Sequence, residues 1–146
     1  MKNRTILLFA LAALVLSSCS KADQYKGSYT YKTGGYVVVQ DGESEPEEVS
    51  LTPESGQMHV LKDGGSSLTV TMNPIGGSPV VYEATLDGDV LTLAPANRKL
   101  LIGGKSVICT TYASGTRKDN VLMLDFTYEN EEILESHITC VAVYNE

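Results

Sequence analysis

The chain has 146 residues, with 11 Lys and Arg against 18 Asp and Glu and a formal net charge of -7. That length holds one ordinary domain, and the acidic balance opposes the phosphate neutralisation on which nucleic-acid affinity depends, so no nucleic-acid partner is expected. With 42% hydrophobic residues the chain is too apolar to be disordered throughout, and its 2 His and 3 Cys leave little material for a metal cage or cluster, so no metal or other cofactor is expected.

The first residues read as an address. Lys2 and Arg4 precede an apolar run from Ile6 to Leu16. Those 11 residues fall short of the about 20 that a helix needs to span the hydrocarbon core, and they suit the h-region of a secretory signal peptide. The string Leu16-Ser17-Ser18-Cys19 resembles the lipobox of bacterial lipoproteins. The resemblance implies a signal peptide over 1–18, cleavage before Cys19, and lipidation of Cys19. Acyl chains at about 0.8 kcal/mol per buried methylene make such an anchor effectively permanent. Ser20, where lipoproteins kept in the inner membrane often carry Asp, points to the outer membrane, on its periplasmic or its surface face. Loss of Lys2 and Arg4 leaves 9 basic against 18 acidic groups, a mature net charge of -9. Residues 19–24 are expected to form the lipidated Cys and a short tether, of which 20–24 reach at most about 17 Å.

From 25 to 146 the chain reads as a single all-β domain. Turn signals at Gly34-Gly35, Asp63-Gly64-Gly65, Gly76-Gly77, Asp87-Gly88, Gly103-Gly104 and Gly115 separate runs rich in Val, Thr, Tyr and Leu. The runs are 25–31, 36–40, 57–62, 67–73, 79–86, 90–94, 98–102, 106–114, 120–129 and 133–144. Their spacing predicts an antiparallel meander barrel or a related sandwich of eight to ten strands. The segment 41–56 carries six acids and two prolines and is expected to be a mobile loop, with a short edge strand over 47–51.

Register sharpens this picture. A two-residue Asp87-Gly88 loop would pair Ala84 with Leu91 and Tyr82 with Leu93. An odd loop after 57–62 would set Met58 against Met72 and Val60 against Val70, with His59 on the opposite face. Leu122, Leu124, Phe126 and Tyr128 alternate with polar residues, as do Ile138, Cys140, Ala142 and Tyr144, which puts His137 outward.

Chemistry-bearing motifs are sparse. Asp41, Glu43 and Glu45 have the first spacings of a calcium loop, but Pro46 stands where Gly is needed and Thr52 where Glu is needed. There is no Gly-x-Ser-x-Gly elbow, and the two His lie on polar faces of separate strands, so no catalytic residues and no enzyme activity are expected. The Gly-Gly pairs have no following helix to hold phosphate. An oxidising compartment would favour a Cys109–Cys140 disulfide. A meander instead sets Cys109 across from about Phe126 and Cys140 from about Leu122, two strands apart and beyond the about 7 Å Cα limit of a bridge. The meander with two buried thiols is the favoured reading.

The order Gly27-Ser28-Tyr29 resembles the Gly-x-Trp near the first strand of lipocalins, with Tyr replacing Trp. In that family an Arg from a late strand packs over the Trp, and Arg117 stands at the matching place. With YKGSYTY opening the domain and SGTRKDNVLMLDFT near its end, the chain resembles the lipocalin-like, calycin-type domains of bacterial outer-membrane lipoproteins. An eight-stranded barrel has room for one small ligand or for side chains alone. Two functions remain open: a non-catalytic binder of a small apolar or amphipathic ligand, or a filled barrel that docks another envelope protein through its edges and loops. Alternation alone suggests Tyr29, Tyr82, Tyr112 and Phe126 as ligand-lining residues.

Overall fold

The computed structural model describes residues 21–146; the signal peptide expected over 1–18 and the lipidation expected at Cys19 fall outside the described residues. A helical turn over residues 21–25 comes first, where the tether and the start of a strand were expected. Nine antiparallel strands follow: β1 (Gly27–Val39), β2 (Glu47–Ser50), β3 (Ser55–Gly64), β4 (Ser67–Pro74), β5 (Val80–Asp87), β6 (Val90–Ile102), β7 (Lys105–Lys118), β8 (Val121–Glu129) and β9 (Ile133–Tyr144).

The strands form a meander barrel. β3 to β9 pair in sequence order, and β1 closes the ring by pairing β3 through Gly27–Lys32 and β9 through Tyr29–Val39. Eight strands make the closed wall. β2, the edge strand expected near 47–51, is the ninth and pairs only the second half of β1. Closure removes the open sheet edges that a sandwich would leave.

Inward residues alternate along the strands of the barrel wall, as the pleat requires, with one change of parity in β6. Tyr29 and Tyr31 of β1, Met58 and Val60 of β3, Leu68, Val70 and Met72 of β4, and Tyr82 and Ala84 of β5 are buried. Leu91 and Leu93 of β6, Leu122, Leu124 and Phe126 of β8, and Ile138, Cys140 and Ala142 of β9 complete the core. The β3–β4 hairpin has the expected register, with Met58 opposite Met72 and Val60 opposite Val70.

Several expectations shift. The β5–β6 turn is Gly88-Asp89, so Leu86 faces Leu91 and Ala84 faces Leu93. This is a two-residue slip from the Asp87-Gly88 turn, so the same side chains stay inside. Gly88 has φ 59° and Asp89 no positive φ, which fits a type II′ turn with Gly first rather than type I′. Gly34-Gly35 and Gly115 are not turns. The runs 25–31 and 36–40 are one strand, β1, and Gly115 lies inside β7, whose turn to β8 comes later at Asp119-Asn120. Gly35 sits where a Cβ would overlap the His137 carbonyl, and Gly115 where one would overlap that of Met123. The runs 90–94 and 98–102 likewise join into β6, with a one-residue bulge between Leu93 and Ala96 at Pro95. Proline has no donor for the ladder, and a bulge tolerates it.

Both described cysteines are free and buried. Their partners differ from expectation. Cys109 pairs with Arg98 and bonds Asn130 at 3.7 Å, while Cys140 faces Leu124. The tight Asp119-Asn120 turn slides β8 further along β7 than expected, which moves the two thiols further apart. Burial pushes both thiols up, Cys140 to about 12.

The two barrel ends differ. At one end the helical turn 21–25 covers the opening. The Tyr25 hydroxyl donates to the Asp89 carbonyl at 2.5 Å and accepts from the Arg117 backbone N–H at 3.0 Å. Arg117 lies over the rings of Tyr29 and Tyr144, 5.6 and 4.8 Å from their centroids, and its Nη1 donates to the Tyr29 hydroxyl at 3.0 Å. The other end holds the β4–β5 loop, the segment 51–54 and the long β6–β7 hairpin.

Replacing Gly35 with Ala should lower the unfolding free energy by about 2 kcal/mol or more, since its φ of 144° and the His137 carbonyl both exclude a Cβ. Gly34→Ala has open space and should change it by less than about 0.5 kcal/mol. Urea unfolding of both variants checks this, and equal losses would refute the close-approach account.

Candidate functional site

The bulge in β6 sets the chemistry of the open end. Below it, odd-numbered residues Leu91 and Leu93 point inward; above it, the even-numbered Arg98 and Ile102 do. Without the extra residue, Asn97 and Lys99 would face the core and Arg98 the solvent. Thr111 on β7 holds the bulge by donating to the Ala96 carbonyl at 2.9 Å. Its proton is thus committed, so the Tyr82 hydroxyl is the donor in the 2.8 Å bond between Tyr82 and Thr111.

Arg98 finds its partner in the acidic segment. Thr33 of β1 holds Glu54 in place twice. Its backbone N–H donates to the Glu54 carbonyl at 2.8 Å, and its Oγ1 accepts from the Glu54 N–H at 3.2 Å. The Glu54 side chain turns inward, where Oε2 accepts from Arg98 Nη2 at 2.8 Å and Oε1 from the Tyr31 hydroxyl at 2.8 Å. The Arg98 side chain is 5% exposed and that of Glu54 22%. Burial opposes the guanidinium charge most strongly of any one cause, but Glu54, Tyr82 and Tyr128 together outweigh it, so the Arg98 pKa rises above its ordinary value. Burial, then the bond to Glu54, raises the pKa of Tyr31.

This pair lies at the bottom of a cavity of about 550 Å3 at the open end. Leu51, Pro74, Ile75, Pro79, Val80, Leu100, Leu101 and Ile138 supply its apolar surface, and Thr33, Thr52, Ser78, Asn97, Lys99 and Tyr128 add polar groups. The volume lies in the range of small-ligand sites. The cavity stops at the Glu54–Arg98 layer. Beneath it Tyr82 and Phe126 pack edge to face at 5.9 Å, and Met58, Met72, Leu93 and Leu124 are fully buried.

None of the four residues expected to line a ligand site borders this cavity. Tyr29 is at the closed end, donating to the Tyr25 carbonyl at 2.6 Å. Tyr82 and Phe126 are buried in the packed layer below. Tyr112 points outward and donates to Glu129 at 2.6 Å. Its strand turns Cys109, Thr111 and Ala113 inward, which fixes Tyr112 on the other face. The segment 41–56 also departs from a wholly solvated loop, since Glu54 leaves solvent for the barrel. Sequence reasoning missed Glu54, Arg98 and Tyr31 as one cluster, and the signal available was Pro95 between two closely spaced strand runs, where a bulge can join them.

The histidines stay outside. His59 Nδ1 is 2.9 Å from Ser28 Oγ, and His137 stacks on Tyr36 and meets Glu135 at 3.2 Å, all on exposed outer faces. Among the described residues no three His, Cys, Asp or Glu groups stand together as a metal site. Comparison with protein-family models, with curated proteins and with solved structures finds no match for the chain.

The buried pair should behave as a unit. Glu54→Leu alone strands the Arg98 charge and should cost about 3–5 kcal/mol. Adding Arg98→Met should return a large part of that loss. Urea unfolding of both single variants and the double variant measures the coupling, and simple additivity would show that the two side chains are independent.

Proposed function

We propose that the protein is a lipid-anchored envelope lipoprotein whose lipocalin-like, calycin-type barrel binds a small amphipathic molecule without catalysis. The observation that carries this is the contrast between a packed barrel interior and the single-ended cavity of about 550 Å3 above it, apolar in its walls and charged at its base. Arg117 lying over Tyr29 supports the lipocalin-like assignment, because it is the contact that the Gly27-Ser28-Tyr29 resemblance implies. The cavity gives the ligand an apolar wall for its tail and a polar floor that fixes its head.

The orientation follows from where the chain enters. Lys21 pairs with Asp89 at 3.3 Å, on the turn at the closed end. With Cys19 acylated, Ser20 alone would separate the lipid from the helical turn, a reach of about 7 Å. The closed end would then rest on the headgroups, and the cavity would open away from the membrane, toward ligand arriving from the aqueous side.

A second reading has its own observation. On the outer face of β8 and β9, Met123 pairs with Val141, and Val143 extends the same exposed apolar strip. Such a strip suits a protein partner in the envelope.

Two experiments test the proposal. Mass spectrometry of the membrane-extracted protein should find a mature chain beginning at an acylated Cys19, and Cys19→Ala should move the protein to the soluble fraction; an unmodified, soluble wild type would refute the anchor. Native mass spectrometry of the Cys19→Ala protein should show a non-covalent small-molecule adduct that Leu100→Trp, which fills the cavity, abolishes. An adduct unaffected by Leu100→Trp would place binding elsewhere.

A further inference from the structure

We infer that the free edge of β6 at the open end is a docking site for an extended polypeptide segment of a partner protein, which adds to the sheet antiparallel to β6 and sets a carboxylate opposite Lys99. The site is the backbone edge of the wall rather than the floor of the cavity, so it goes beyond the small-molecule reading.

The barrel wall is complete only up to the Ala84–Leu93 pair. β5 begins at Val80, yet it meets β6 only through Ala84–Asp87. Above Leu93, β6 runs on to Ile102 with β7 as its only paired strand among the described residues. Pro95 has no N–H to continue the ladder toward β5, and a bulged strand bends. Which backbone groups this leaves unpaired follows from the β6–β7 hairpin. Its turn is Gly103-Gly104, with φ of 58° and 80°, the type I′ pattern of a two-residue loop. Such a loop is closed by a hydrogen-bonded pair, here Ile102 and Lys105, and bonded pairs recur at every second residue. Ile102, Leu100 and Arg98 thus direct their N–H and C=O groups at β7. Asn97, Lys99 and Leu101 direct theirs the other way, where no strand among the described residues pairs with them.

The side chains around this edge suit an added strand. Ile75, Leu101 and Ile108 are 83, 67 and 70% exposed, the largest exposures of the big apolar side chains among the described residues. Leu101 is on the edge itself, Ile75 is on the β4–β5 loop that borders the same cavity, and Ile108 is opposite Lys99 on β7. Leu100 and Val80 line the cavity on the inner side. A strand seated here would therefore find apolar contacts for alternate side chains on both faces, while the edge supplies its main-chain hydrogen bonds. Lys99 selects the occupant. It is exposed at the middle of the edge and has no ion-pair partner among the described residues. A second copy paired antiparallel about this residue would set Lys99 against Lys99, and like charges directly opposite are destabilising. Lysine on an edge strand is a known guard against such self-association. A foreign strand with Glu or Asp at the facing position and apolar residues beside it gains from the same charge.

The test uses the unlipidated Cys19→Ala chain and a synthetic peptide, acetyl-Ser-Ile-Val-Glu-Val-Thr-Ser-amide, whose Glu falls opposite Lys99. In the free protein the Lys99 and Leu101 amides should exchange with deuterium faster than those of Arg98 and Leu100, and the peptide should slow them. Fluorescence anisotropy of the labelled peptide gives its affinity. Methylation of the Glu nitrogen removes the N–H that would bond the Lys99 carbonyl and should weaken binding about five- to ten-fold. Methylation of the next Val nitrogen, which points away from β6, should weaken it far less. Lys99→Glu should weaken the Glu peptide about two- to five-fold, and a peptide with Lys in place of Glu should recover that loss. Unchanged exchange at Lys99 and Leu101 with millimolar peptide present, or equal losses from the two methylations, would overturn strand addition at this edge. A dimer in sedimentation with those amides protected before any peptide is added would make a second copy the occupant and overturn the assignment to a foreign strand.

Discussion

The bulge between Leu93 and Ala96 gives β6 one residue more than its partner β7, and so exchanges the two faces of the strand above it. In a closed barrel this is a strong constraint, because every inward position must be filled and every outward one solvated. Below the bulge the strand contributes leucines to the core. Above it the strand contributes Arg98, and a guanidinium placed there cannot stay buried without a counter-charge. Glu54 supplies it from the segment that returns from β2 to β3, and Tyr31 and Thr33 of β1 fix that segment. The open end is therefore polar at its base because of one backbone insertion four strands away from β1.

The closed end is organised around a second arginine with a different role. Arg117 remains partly exposed and spends its donors on backbone and hydroxyl groups: the Gln24 and Asp119 carbonyls and the Tyr29 hydroxyl. Its plane covers Tyr29 and Tyr144, whose rings meet edge to face at 5.5 Å. Cation–π contacts of this kind contribute about 0.5–2 kcal/mol. They join β1, β7 and β9 to the helical turn 21–25, elements that are far apart in sequence. One arginine seals an end against water, whereas Arg98 keeps a polar surface open to the cavity.

What could be read from the residues divides along the same line. Alternation in Met58–Val60, Leu122–Tyr128 and Ile138–Tyr144 is a local property, and it places those side chains correctly inside a meander barrel. The odd loop after β3 was legible for the same reason, since only one parity buries both methionines. The Arg117–Tyr29 contact was legible only through the likeness of Gly27-Ser28-Tyr29 to a family motif. The cavity was not legible. Its base needs Glu54, which composition assigns to solvent, and Arg98, to which alternation assigns no face because the runs 90–94 and 98–102 stand apart in the sequence. The bulge that joins them decides which way Arg98 points, and Glu54 is drawn inside by that distant charge. Gly35 and Gly115 are the reverse case: glycines taken for turns that serve continuous strands, because what demands them is a carbonyl from a distant strand.

The position of the charged pair also explains why the cavity ends where it does. A wholly apolar barrel of eight strands would pack side chains to its rim or leave a void that water does not favour. Tyr31, Tyr82 and Tyr128 instead turn their hydroxyls toward the layer of Glu54, Arg98 and Thr111, so their rings complete the core below while their oxygens face the polar layer. Cys140 borders the same layer, and burial followed by the Glu54 charge keeps its thiol protonated. The layer is thus a partition. It separates the cavity above from the packed core below, and makes the cavity's depth a consequence of a hydrogen-bonded network rather than of strand length.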